Sequence, residues 1–220
     1  MVRNFLMYLG LLCLIITDGF SMDDSWVFRV GGDQIRMYGI SGLKRPDWFV
    51  EKYSIQNGTN LSFFTGRGYI PPYKDSIITD YKNPKKWPIF TIRQSDCSPK
   101  IYSTEKISSV SLHQIIDSSS FVASGTPILI ERGNGVKIQK SFFSRRRCQR
   151  TALGITKDGS VIIFVTKHAT LRDVRDYLLS IGCVDAINVD GGSSTFLYMN
   201  GKKKYSSNQG RSYPNILVWF

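Results

Sequence analysis

Residues 188–196 read Asn-Val-Asp-Gly-Gly-Ser-Ser-Thr-Phe and hold the side chains best suited to chemistry in this chain. Two adjacent glycines let a backbone come close to a ligand, while Ser193, Ser194 and exposed amides form a cradle for phosphate oxygens. Asp190 stands at the mouth of this cradle as a base or hydrogen-bond acceptor. The same pattern also occurs in turns that simply end a strand, where the aspartate caps and a glycine takes positive φ. The segment is therefore a candidate anion site. It contains one carboxylate, and Gly191 and Gly192 would contact the bound anion through their backbone.

The segments before and after this turn predict the elements that position it. Val161–Val165 is a β-branched run that predicts a strand. Thr170 and Asp173 then form a capping-box signal, and Gly182 stands where a helix commonly ends in a left-handed residue. Between them lies an apolar stripe of helical spacing, formed by Leu171, Val174, Leu178 and Ile181. Further strands are predicted at 186–189 and 195–199, so the turn follows a strand–helix–strand unit. Ligands bind at such strand ends in open α/β sheets.

The rest of the chain carries weaker signals. Strands are predicted at 26–30 and 34–38, joined in a hairpin-like way at 31–33. Residues 41–100 are rich in Pro, Gly, Asn and aromatics and predict loops and short strands, whereas 107–120 fits a helical turn or a strand. Together these elements predict an α/β fold (an α+β mixed sheet): one domain with a mixed β-sheet flanked by helices.

The N-terminus has the features of a secretory signal peptide. Arg3 supplies the positive charge, residues 5–16 are almost all apolar, and 19–21 is a small-x-small cleavage site. We expect a leader at 1–21, a mature domain at 22–220 and a secreted, periplasmic or cell-envelope location, with no stable membrane span after cleavage; an uncleaved anchor is the alternative. Three cysteines remain after the leader, which allow one bridge at most, such as Cys97–Cys148.

The chain carries 29 Lys and Arg against 17 Asp and Glu, a net charge of +12 that favours anionic partners. Phosphorylated polysaccharides, nucleic acids and phospholipid surfaces all meet that description, and cations also keep an exported protein soluble. The sequence holds no helix-turn-helix, zinc or RNP-like motif, so nucleic acid is not expected as a partner.

Several segments, in the same order, resemble successive blocks of the phosphodiester glycosidase family. The blocks are RTALGITKDG at 150–159, AINVDGGSSTFLYMNG at 186–201, SGTPILIERG at 124–133, RSYPNILVW at 211–219 and, earlier, NGTNLSFF at 57–64. They span roughly residues 55–220. This chain differs from the family pattern at two points. It has Val189 where the family more commonly has leucine, and Ser193-Ser194 directly after two glycines where the family usually has a third glycine. Neither change removes a chemical group.

The resemblance implies that Arg150, Asp190 and Arg211 are catalytic. It implies substrate contacts from Gly191, Gly192, Ser193 and Ser194, with Asn60 or Asn57 opposite. Two arginines are suited to hold a phosphodiester and stabilise the departing phosphate. Asp190 would act at the anomeric carbon, as nucleophile or as base for water. For each arginine the plain alternative is a surface cation or a structural ion pair.

The activity that the resemblance implies is hydrolysis of a sugar from a glycosyl phosphodiester of the N-acetylglucosamine-1-phosphodiester kind, on a phosphorylated glycan or wall polymer. Glycoside hydrolysis usually needs two carboxyl groups, and Asp158, Glu131 and Asp185 are the further candidates. Because a phosphate leaving group is already acidic, one carboxylate flanked by arginines could be enough. No cofactor is expected with certainty, although Asp190 and nearby carbonyls could bind Ca²⁺.

Two other functions are compatible with the sequence. A non-catalytic exported module that binds anionic polysaccharide would explain the charge and the aromatic residues. A serine hydrolase could use the SxxK match at 103–106, although no companion SDN or KTG motif is present.

Overall fold

The computed structural model of the protein describes residues 24–61, 63–65, 68–69 and 87–220. The predicted leader at 1–21 lies outside them. The helices are α1 (Pro46–Tyr53), α2 (Ser109–Asp117), α3 (Phe142–Arg145) and α4 (Leu171–Ser180). The strands are β1 (Ser25–Val30), β2 (Ile35–Lys44), β3 (Asn57–Asn60), β4 (Phe64–Thr65), β5 (Gly68–Tyr69), β6 (Ile89–Arg93), β7 (Pro99–Tyr102), β8 (Ser119–Ser124), β9 (Ile128–Glu131), β10 (Asn134–Gly135), β11 (Cys148–Thr156), β12 (Val161–Ala169), β13 (Cys183–Asn188), β14 (Phe196–Met199), β15 (Lys202–Ser206) and β16 (Tyr213–Trp219).

Two large sheets form the centre of the protein. The first has the strand order β1-β12-β11-β13-β9-β10, and the second has the order β15-β14-β3-β16-β2. All pairs within both sheets are antiparallel in the described part of the chain. Side chains from both sheets share one buried cluster, in which Leu153, Ile163 and Ile187 of the first sheet accompany Leu197 and Leu217 of the second. The main core therefore lies between the two sheets.

The predicted strand–helix–strand unit is present as β12, α4 and β13. The Thr170 hydroxyl accepts a hydrogen bond from the Asp173 amide, and the Asp173 carboxylate accepts one from the Thr170 amide, so the predicted capping box is confirmed. Leu171, Val174 and Leu178 pack against the outer face of the first sheet. Gly182 has φ +86°, as expected after a helix end. Between β12 and β13 lies β11, antiparallel to both.

A third sheet and the helices α1 and α2 pack around this centre, and β4 and β5 form a separate two-stranded sheet. Strands β7, β6 and β8 form the third sheet, and α2 packs on it through Leu112. Helix α1 covers the second sheet with Phe49, which is fully buried among Phe196, Tyr198 and Tyr213. The expected α/β fold of the α+β kind, one domain with helices against sheets, is confirmed. No helix in the described residues is long and apolar enough to cross a membrane.

Some local predictions were wrong. Strands β1 and β2 exist, but they do not form a hairpin, because β1 pairs with β12 in the first sheet and β2 pairs with β16 in the second. Helix α1 lies within the segment predicted as loops and short strands. For 107–120 the sequence left a helical turn or a strand open, and the structure has the helix α2 followed by the first residues of β8. The bridge between Cys97 and Cys148, which the sequence allowed without requiring it, is not formed, and both thiols are free.

Candidate active site

The candidate site lies where the chain crosses from the first sheet to the second. Strand β13 ends at Asn188 and β14 begins at Phe196, and a 3-10 turn over Gly192–Ser194 joins them. Gly192 has φ +59°, a conformation that disfavours residues with a side chain. The amide of Thr195 donates to the Gly192 carbonyl at 3.1 Å and closes the turn.

Gly191 is required by close packing. A methyl group on its Cα would lie 2.9 Å from the carbonyl oxygen of Gln149 and 3.4 Å from the Cα of Arg150. Both contacts are with backbone, which cannot move aside as a flexible side chain can. The turn therefore lies directly against the start of β11.

Asp190 is the carboxylate of this turn, and its side chain is almost completely buried. One of its oxygens accepts a hydrogen bond from the Gly191 amide at 2.9 Å, and the Ser194 side chain is a second hydrogen-bond partner. Burial raises the pKa of Asp190 to about 6, although the bonds from Ser194 and Gly191 and the charge of Arg211 oppose the increase. Because desolvation outweighs these three effects, Asp190 changes its protonation near pH 6 and is ionised at neutral pH.

Arg211 is the cation of the site and lies two residues before β16. Its guanidinium donates to the Ser193 hydroxyl at 3.2 Å, and its charge acts on both Asp190 and Tyr213. Tyr213 is buried beside the ring of Phe196, at 4.8 Å between centroids, and burial is the main cause that raises its pKa. Sequence reasoning missed Tyr213, although it lies two residues after Arg211 in the same block.

Asn60 links three strands to the turn. Its side-chain oxygen accepts from the Thr151 hydroxyl at 3.0 Å and from the Phe196 amide at 3.4 Å. Its side-chain nitrogen donates a short hydrogen bond to the Asp190 carbonyl. Asn60 is 1% exposed, so these contacts hold the backbone of Asp190 rather than present an open surface. Thr151 is a second site residue that sequence reasoning missed.

Asn57 lies at the other end of β3. Its side-chain nitrogen donates to the Trp219 carbonyl at 3.3 Å, and its oxygen accepts from the Asn200 amide. Of the two asparagines considered from the sequence, the structure brings Asn60 and not Asn57 to Asp190.

Arg150 is close to Asp190 through its backbone only. Continued by two residues, the register that pairs Ala152 with Asn188 sets Arg150 opposite Asp190. The Arg150 guanidinium, however, donates to the carbonyls of Phe143 at 2.6 Å, Arg146 at 2.9 Å and Ala169 at 3.3 Å. The side chain is 1% exposed, and burial lowers its pKa. In this structure the guanidinium anchors backbone instead of facing the Asp190 carboxylate.

The other carboxylates considered from the sequence lie away from the turn. Asp158 is in the β11–β12 hairpin and pairs with Arg29 at 2.5 Å. Asp185 accepts from the Arg132 amide at 3.0 Å, near the exposed Glu131 at the end of β9. The described residues contain no group of three or more His, Cys, Asp or Glu side chains that could hold a metal ion. A calcium ion at Asp190 stays a prediction that depends on one carboxylate.

Comparison with known proteins gives two kinds of match. The family model for phosphodiester glycosidases matches residues 51–220. The zebrafish N-acetylglucosamine-1-phosphodiester alpha-N-acetylglucosaminidase catalytic domain is similar in structure, with a TM-score of 0.67 and 16% identity over 89% of this chain and 82% of that one. A hypothetical protein from Synechocystis gives a TM-score of 0.59 and 13% identity over 88% of this chain and 58% of that one. At these identities the structures show a shared fold. A search of curated proteins found no match.

Proposed function

The chain belongs to the phosphodiester glycosidase family, and we propose on that premise that it hydrolyses a glycosyl phosphodiester of the N-acetylglucosamine-1-phosphodiester kind. The substrate would be a phosphorylated glycan or an envelope polymer, and the products a free sugar and a phosphomonoester. The observation that carries the proposal is the buried Asp190 carboxylate in a Gly-Gly-Ser-Ser turn, with the Arg211 guanidinium on the adjacent Ser193 hydroxyl.

In the proposed reaction the bond between the anomeric carbon and the phosphate oxygen breaks. The ionised Asp190 either takes a proton from the water that attacks the anomeric carbon, or attacks that carbon itself. In the second case a glycosyl ester forms on Asp190, and a water molecule then hydrolyses it to the free sugar and the regenerated carboxylate. The phosphate leaves with the bonding electrons, and Arg211 with the Ser193 hydroxyl stabilises its charge. Since the departing phosphate is a weak base, it requires little protonation. The absence of a second carboxylate close to Asp190, among the candidates at 131, 158 and 185, is compatible with this scheme.

The hydrogen bonds that join Thr151 to Asn60 and Asn60 to the Asp190 carbonyl support the same scheme. A carboxylate that acts at one carbon atom must be held in position, because a misplacement of about 1 Å can cost about a hundredfold in rate. Asn60 fixes the carbonyl of Asp190 and is itself fixed by Thr151. We therefore assign these two side chains a positioning role and Asp190 the chemical one.

The alternative function is a non-catalytic exported module that binds anionic polysaccharide. The net charge of +12 favours it as much as it favours the enzyme. Secretion or an envelope location belongs to both proposals and depends on the predicted leader at 1–21.

Release of free sugar distinguishes the two functions. The purified protein is incubated with UDP-N-acetylglucosamine and with an N-acetylglucosamine-1-phospho-sugar, beside Asp190→Asn. We expect turnover by the wild type and a decrease of several orders of magnitude in the variant, which keeps the shape of the side chain without its charge. Equal activity in the variant would remove Asp190 from the mechanism, and binding of both substrates without turnover would support the module.

A further inference from the structure

The segment 137–147 concentrates positive charge next to the candidate site. It contains Lys137, Lys140 and the run 145–147, and no Asp or Glu. Of these cations, Arg147 pairs with Asp173 of α4 at 3.1 Å. The acid-free stretch is longer than the segment, because no Asp or Glu occurs between Glu131 and Asp158. We call residues 137–147 the basic segment. Such a block of like charge repels itself and is favourable where an anionic partner approaches it.

The basic segment is held in a defined shape by its own side chains. The buried Ser144 hydroxyl donates to the Gln139 carbonyl at 2.6 Å and accepts from the Ser141 amide at 2.9 Å. The Arg150 guanidinium, from the start of β11, also donates to the carbonyls of Phe143 and Arg146. The cations of the segment therefore start from a fixed backbone, which lowers the entropic cost of binding a ligand.

The segment is also connected directly to the Asp190 turn. Gly191 packs against the backbone of Arg150, and the guanidinium of that same arginine holds Phe143 and Arg146. One arginine side chain therefore spans the separation between the turn and the basic segment.

The exposed ring of Phe143 favours a sugar-containing polymer. This ring is 45% exposed, and the Arg150 guanidinium lies over it at 4.5 Å from the centroid. An exposed aromatic ring between cations offers an apolar surface for a sugar ring, and the cations offer partners for the phosphates that join such rings.

We propose that the basic segment binds the phosphate groups of a phosphorylated glycan chain that extends from the Asp190 site. The inference rests on the proposed function and deepens it, since it makes the substrate a polymer rather than a small diester. The segment would supply affinity and hold the chain while Asp190 acts on one linkage.

The test compares two double variants of equal charge change. Lys140→Glu with Arg145→Glu alters two exposed cations of the basic segment. The control, Lys202→Glu with Lys204→Glu, alters two exposed cations on β15. Each double variant lowers the net charge by four, from +12 to +8. Binding of fluorescent poly(N-acetylglucosamine 1-phosphate) is measured by anisotropy at two salt concentrations, with neutral dextran, phosphatidylglycerol vesicles and duplex DNA as further probes.

We expect the basic-segment variant to bind the polymer about thirtyfold more weakly and with a smaller salt dependence, and the control to bind it as the wild type does. Equal losses in the two variants, or equally tight wild-type binding to vesicles or DNA, would overturn the proposal. All proteins in the binding assay also carry Asp190→Asn, so the polymer is not hydrolysed and the result is independent of the glycosidase activity. Hydrolysis of a small N-acetylglucosamine-1-phosphodiester tests the proposed function separately, and a larger rise of KM for the polymer than for this diester is the expected kinetic result.

Discussion

Replacing Asp190 with asparagine should abolish activity and at the same time stabilise the protein at neutral pH. The carboxyl has its pKa raised from 3.8 to about 6, chiefly by burial. Ionising it in the folded state therefore costs about 3 kcal/mol of folding free energy, at about 1.4 kcal/mol for each tenfold change in proton affinity. Asparagine has nearly the same shape and no charge, so the variant avoids this cost.

The pH dependence follows from the same shift. Between pH 3.8 and about 6 the Asp190 carboxyl is mostly protonated in the folded state and mostly ionised in the unfolded state. Stability from this group is therefore fully present below the lower value and is lost as pH rises through the higher one. We expect Asp190→Asn to gain about 3 kcal/mol over the wild type near pH 7.5 and only about 0.5 kcal/mol near pH 4.

Urea denaturation at these two pH values, followed by tryptophan fluorescence, measures the difference. Asp96→Asn is the control, because hydrogen bonds from Ser98 lower the pKa of Asp96 and its effect should have the opposite sign. A gain for Asp190→Asn that is equal at both pH values would refute the reasoning, as would a loss near pH 7.5. Either result would mean that the buried carboxylate is compensated in the folded protein.

Three further predictions concern neighbours of Asp190. Arg211→Ala should shift the acidic limb of the kcat/KM profile to higher pH, because the Arg211 charge lowers the pKa of Asp190. An unchanged limb would show that the Arg211 charge does not act on the group that titrates there. Arg150→Lys should lower the free energy of unfolding by about 3 kcal/mol, since the buried carbonyls lose their hydrogen-bond donor. A variant that is as stable as the wild type but has no turnover would contradict this structural role and indicate that Arg150 contacts the substrate. Gly191→Ala should destabilise by about 1–3 kcal/mol in urea titrations, through its clash with the Gln149 carbonyl, and wild-type stability would contradict that packing.

The elements that could be predicted were those with local signals. The capping box at Thr170 and Asp173, the left-handed Gly182 and the β-branched run of β12 are all set by residues a few positions apart. The pairing of β1 and β2 was not predictable in this way. The Gly-Gly-Asp segment between them does mark a turn, but the choice of partner depends on which sheet offers a hydrophobic face, and that is a property of the whole chain.

The candidate site was predicted in part for a similar reason. The turn at Asp190 carries its chemistry in consecutive residues and could be identified directly. Arg150 has the right residue type and the right position in its block, but the direction of its side chain depends on β11. Adjacent strand residues face opposite sides, so Thr151 meets Asn60 while Arg150 turns to α3. A threonine in an apolar strand carries no signal of that contact.

The position of Asp190 between two sheets explains how one carboxylate can be both buried and reactive. A carboxylate in a tight ion pair would have its pKa lowered and would be a weaker base. Here burial exceeds the opposing effects of Ser194, Gly191 and Arg211, so the group keeps a pKa of about 6. It is then ionised at neutral pH while remaining more basic than an exposed aspartate. Because the associated loss of stability gives the fold no benefit, its presence in this turn is itself an argument that the carboxylate is kept for chemistry.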